Sequence, residues 1–200
     1  LACFFLLIFF SFSKNKFNPQ YLFFGLSTLF LAIYILDNLT IYKLNISLIT
    51  FKKITFSSLY ASIGFISLAL YYYFKKNILK YFSILTFLSL IPIIFLSLNM
   101  AILKTISTFL SLLILINIFI WAYVTGTNLK GSNFSKTFFS ISLLSLVIVG
   151  MDVFNNFSSK TNEFNLFSLN IYSFVFLFLT LTILVFYEYL NLEEKVIFEK

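Results

Sequence analysis

The chain is 200 residues long, 60% hydrophobic and 10% charged, with a net charge of +7 and a mean hydropathy of +1.00. Those values exclude a soluble globular domain, and the apolar runs are continuous instead of alternating, so the expected fold is all-α. The lysines stand singly or in pairs between the runs, a pattern that marks membrane topology and not a nucleic-acid surface.

Residues 1–13 are apolar but shorter than the roughly 20 residues of a bilayer crossing. The chain begins with Leu, not Met, so this stretch is expected to be the end of a truncated first span. Asn18-Pro19 then opens a second span over 20–36, with Asn as cap and Pro at the first helical position. Residues 38–53 form the longest connection and are expected to lie along the membrane interface. A third span over 54–74 ends in Tyr71, Tyr72 and Tyr73. The fourth, over 81–98, contains Pro92, which should kink it. Lys104 marks a short turn, and a fifth span runs to about Val124. The sixth covers 137–151 and ends at Asp152. The seventh crosses by residue 187 and continues, with no Gly or Pro, into the charged sequence EYLNLEEKVIFEK. The expected organisation is a polytopic membrane helix bundle of about seven spans at 1–187. The start of a cytoplasmic signalling helix follows at 188–200.

With the tail in the cytoplasm, Lys14, Lys16, Lys75, Lys76, Lys80, Lys130, Lys136, Lys195 and Lys200 fall inside. Lys43, Lys52, Lys53, Lys104 and Lys160 fall outside, a nine-to-five split in the direction of the positive-inside rule. Tyr21, Tyr71 to Tyr73, Tyr81, Trp121, Tyr123, Tyr187 and Tyr189 gather at the same inner level as an aromatic belt. The expected location is the bacterial cell (inner) membrane.

Few side chains bring chemistry. The chain has no His and no Arg, its seven acidic residues are scattered, and its glycines are isolated. No imidazole base, bidentate phosphate clamp, paired carboxylate or phosphate loop is therefore available, and neither enzymatic turnover nor a cofactor is expected. Asp152 is the acidic group nearest membrane depth; it is either an intramembrane functional residue or an ordinary helix end beside Asn155 and Asn156. Glu188 reads as an interface residue between two tyrosines. Asn117 and Asn170 each place an amide within a span, where an interhelical hydrogen bond is its expected use. Pro92 is a hinge or a tolerated kink. In the tail, Tyr189, Leu192 and Val196 follow the spacing of a coiled-coil seam, so a homodimer through this helix is the expected partner besides the bilayer.

The layout resembles a bacterial family, the seven-transmembrane receptors with diverse intracellular signalling modules. The resemblance lies in the second-span opening NPQYLFFGLSTLFLAIY and in the third-span entry LITFKKITFSSLYASIGFISLALYYYFKK. It extends to NLKGSNFSKTFFSISLLSLVIVGMDVF and to the final NIYSFVFLFLTLTILVFYEYLNLEEK. It implies a sensor that relays an extracytoplasmic signal through its last helix to a C-terminal output module such as a kinase or cyclase. The ligand domain and the output module of such proteins would both lie outside these 200 residues, so no catalytic residue carries over. The competing expectation is a fragment of a polytopic transporter or of an envelope polysaccharide flippase or polymerase. Such proteins line a midplane pathway with charged or polar groups, whereas the mid-span positions here hold amides and hydroxyls.

Overall fold

The computed structural model describes residues 18–35, 47–129 and 133–158, and these are helical throughout apart from their connections. Helix α1 is Pro19–Ile35, α2 Leu48–Phe74, α3 Asn77–Leu88, α4 Met100–Thr127 and α5 Asn133–Ser158. A single π-turn, Pro92–Leu96, prolongs α3. Four helical stretches are long and apolar enough to cross a membrane: Leu48–Phe74, Asn77–Leu96, Met100–Thr127 and Phe134–Met151. The expected first and seventh spans and the charged tail lie outside the described residues.

Three of the helices begin at residues whose own chemistry suits a helix start. Pro19 opens α1 at the expected place, needing no N–H there. Ser47 opens α2: its hydroxyl accepts from Thr50 N at 3.3 Å. The third span thus starts six residues before the expected Ile54. Lys52 and Lys53 belong to its first turns, not to an interfacial connection. Asn99 opens α4, its Oδ1 accepting from Ile102 N at 2.9 Å. The turn between the fourth and fifth spans is therefore Ser97–Asn99, and Lys104 stands inside the helix. A lysine stem can lie along an apolar face with its head in water, so it makes a poor turn marker. At the other end of the chain, α5 continues through Asp152 to Ser158, so Asp152 does not end it.

Between α2 and α3 the chain reverses in two residues. Lys75 adopts the left-handed conformation (φ 56°, ψ 31°), and its N–H donates to Tyr71 O at 2.7 Å. A non-glycine residue pays roughly 1–2 kcal/mol for that backbone. The ammonium lies 5.1 Å from the centre of the Tyr72 ring, a cation–π contact that offsets part of the cost.

Pro92 disturbs the fourth span as expected, and the form of the disturbance is specific. The proline ring has no N–H and collides with the carbonyl one turn earlier, so regular α-helix stops at Leu88 and resumes as the π-turn. Hydroxyls engage carbonyls on both sides of the break: Ser89 Oγ donates to Thr86 O at 2.6 Å, and Ser97 Oγ donates to Ile93 O. This is the usual way in which a proline is accommodated in lipid.

Helix α2 is the centre of the bundle. It packs against α1, α3, α4 and the π-turn, while α5 packs on α4. The most apolar stretch of α2 is 72% buried against 28–44% for the other three spans, so its neighbours surround it. The bundle has an apolar core threaded with hydroxyls and one amide, and an apolar outside. Ser27, Ser67, Thr86, Ser107, Ser111 and Asn117 are fully buried among residues such as Leu59, Ile66 and Leu70, while Phe95, Leu98, Phe119 and Phe154 are exposed. An apolar exterior over buried hydroxyls suits helices whose surroundings are lipid, where packing and hydrogen bonds drive association.

Helices α2 and α3 approach closely at Gly64. A Cβ there would lie 2.9 Å from Phe87 Cζ, and Ser83 Oγ crosses to donate to Gly64 O at 2.9 Å. Gly64→Val is accordingly expected to destabilise the bundle by about 1–3 kcal/mol through overpacking. Shrinking the facing ring with Phe87→Ala should recover part of that loss. Unfolding midpoints in a denaturing-detergent titration measure both; an unchanged midpoint for Gly64→Val would refute the close contact.

Candidate functional site

The fully buried Asn117 organises a continuous side-chain network that joins three helices. Helical spacing sets Asn117 and Trp121 on the same face of α4, one turn apart. Ser67 comes from α2 and Thr86 from α3, three residues before that span first departs from regular helix at Ser89. Trp121 Nε1 donates to Ser67 Oγ at 2.9 Å, and Ser67 Oγ donates to Asn117 Oδ1 at 3.0 Å. Asn117 Nδ2 donates to Thr86 Oγ1 at 3.0 Å and to Leu113 O at 2.8 Å. Thr86 Oγ1 in turn donates to Phe82 O at 2.7 Å.

The network is closed. Both amide hydrogens of Asn117, the indole N–H and both hydroxyl hydrogens have acceptors, as a buried polar group in lipid requires. Its direction is also determined. The Leu113 carbonyl can only accept, so the amide nitrogen must face it, and the oxygen is left to receive Ser67. Asn117 is ten residues from Thr127, about 15 Å along the axis, which places the network near the middle of a roughly 30 Å hydrocarbon core.

Two single crossings support it on the side toward Lys53. Ser62 Oγ donates to Ser27 O at 3.0 Å, tying α2 to α1, and Tyr60 OH reaches Ser107 O at 3.4 Å, tying α2 to α4. On the Trp121 side the network passes into aromatic packing. Trp121 meets Phe138 edge-on at 6.4 Å, and Phe134 stands 5.7 Å from Phe138 and 4.6 Å from Tyr73. Helix α5 is thereby joined to both α4 and α2.

Of the residues singled out in the sequence, Asn117 is the centre of this arrangement, and Pro92 follows Thr86 by six residues, about 9 Å along the span. Asn170, Glu188 and the side chain of Asp152 lie outside the described residues. Of the residues expected in an aromatic belt, Trp121 is completely buried and turned toward α2 and Tyr21 is buried too, whereas Tyr81 and Tyr123 are exposed. Ser67 and Thr86 carry no signal of their own in the sequence, because serine and threonine are frequent in every span.

Chemically the arrangement fastens and does not react. Amide, indole and hydroxyl groups offer neither a base nor an activated nucleophile. Among the described residues no cluster of His, Cys, Asp or Glu could hold a metal ion. Comparison of the chain with family models, characterised proteins and solved structures gives no match.

Proposed function

We propose that the chain is the membrane region of a sensor, with its C-terminus in the cytoplasm of a bacterial cell, that relays an extracytoplasmic signal through its last helix to an output module. The observation that supports this reading is the closed network of Trp121, Ser67, Asn117 and Thr86. A relay needs helices that shift together, and a hydrogen-bonded joint near mid-membrane gives α2, α3 and α4 one shared register. A transport pathway needs the opposite, polar groups open to a passing solute. Here the buried amide and its partners answer one another. In this reading the helix at 188–200 carries the displacement outward and pairs with a second copy.

A ligand-free experiment separates the relay from the transporter or flippase alternative. The chain is fused after Lys200 to a cytoplasmic diguanylate cyclase domain through linkers lengthened by one to seven helix-forming residues. If the last helix conveys rotation, cellular cyclic dinucleotide should rise and fall with a period of about 3.6 residues. Output that is flat across the series, with the fusions inserted and expressed, would rule the relay out.

A further inference from the structure

A lateral cleft of about 520 Å³ opens between α2 and the α3–π-turn span, with Phe30 of α1 at its side. Its volume lies within the roughly 300–1,000 Å³ of small-molecule sites. Its mouth is edged by the exposed Ile54 and Ile94, and its inner end is closed by Phe65 and Phe87. The two ends differ in character. Thr50, Lys53 and Ser57 supply an ammonium and two hydroxyls at one end, and beyond Ala61 the walls are apolar. The Ser57 hydroxyl is buried and has no hydrogen-bond partner among the described residues.

We infer that this cleft holds one acyl chain of an anionic phospholipid, with the lipid phosphate at Lys53. Three observations support that occupant over a soluble amphiphile. First, Lys53 and Lys75 stand 22 residues apart on α2, about 33 Å, so they bracket the roughly 30 Å hydrocarbon core and Lys53 lies at one interface. Second, the lining runs from Lys53 to Phe65, about 18 Å of helix, which is close to one leaflet of that core. Third, Lys53 Nζ donates to Ile94 O at 3.0 Å, which fixes the ammonium over the mouth and leaves two of its three N–H groups for phosphate oxygens. The π-turn created by Pro92 presents that Ile94 carbonyl. The same irregularity that breaks the span therefore anchors the lysine.

The test uses the full chain in phosphatidylcholine vesicles that contain a small fraction of phosphatidylglycerol with a photoreactive diazirine in its acyl chain. Adducts mapped by mass spectrometry should concentrate on 57–61 and 87–90. Lys53→Gln should lower that yield about fivefold, the effect of one lysine at an anionic surface. A phosphatidylcholine probe should label the cleft weakly, with no dependence on Lys53. Ala61→Phe, which fills the cleft, should abolish the adducts while leaving the Trp121 emission of the folded chain unchanged. Labelling spread evenly over lipid-facing residues such as Phe119 would reduce the cleft to ordinary bilayer contact and overturn the proposal. Displacement of the probe by palmitate but not by unlabelled phosphatidylglycerol would also overturn it, assigning the cleft to a free fatty acid. An unlabelled cleft in the parent chain would mean that protein covers it, and the proposal would fall.

Discussion

Trp121→Ala is expected to be the most damaging single substitution among the described residues, costing about 3 kcal/mol. Large aromatic truncations in protein cores cost roughly 3–5 kcal/mol, of which part is transfer from water. In a bilayer that part shrinks, because the alternative surroundings are apolar as well. The cavity beside Phe138 remains, and so does the loss of the indole donor to Ser67. By contrast Asn117→Leu keeps the volume and should cost about 1–2 kcal/mol, since an interhelical hydrogen bond in a membrane averages roughly 0.6 kcal/mol and Thr86 retains its own-helix carbonyl. Unfolding in a denaturing-detergent titration gives both values. Trp121 is the chain's only tryptophan, so its emission reports the site directly. Ser67→Ala should shift that emission to shorter wavelength by removing the acceptor from the indole. If Asn117→Leu proved the costlier of the two, hydrogen bonding and not packing would dominate the centre of the bundle.

The second large effect is all-or-none. Reporter fusions at Lys76 and Lys130 should both read as cytoplasmic, as should one at Lys200, and a fusion at Leu98 should read as external. The Lys75–Lys76 turn and the 128–132 connection are separated by two crossings, the α3–π-turn span and α4, so they share a side. Lys75, Lys76, Lys80, Lys130 and Lys136 gather on that side, with Lys52, Lys53 and Lys104 on the other, and the richer side is expected inside. A periplasmic signal at Lys130 would reverse the assignment or remove one of the crossings.

What could be read from the sequence follows from which signals are local. The Asn18-Pro19 start and the disturbance at Pro92 depend on a residue's own backbone, and both are found where the sequence puts them. The Ser47 and Asn99 caps were equally local, but the lysines near them, Lys53 and Lys104, hid them by looking like loop residues. Asn117 stood out because a lone amide within an apolar run has to find partners. Its partners did not stand out. A threonine such as Thr86 can satisfy itself on the carbonyl four residues back, and only the packing of three helices decides which hydroxyl also turns across. The burial of Trp121 is hidden in the sequence for a related reason: an indole suits both a membrane interface and a buried donor site, and composition does not separate the two.

The joint at Asn117 is built from amide, hydroxyl and indole, none of which carries charge or gains a proton in the ordinary pH range. Moving one elementary charge through a membrane potential involves about 2.3 kcal/mol per 100 mV; moving these groups involves almost none. Neither the voltage nor the proton gradient across an energised membrane has a handle on this joint. A depolarisation or an acid step therefore finds nothing to act on in these hydrogen bonds themselves, and reaches them only through a movement of the helices that carry them.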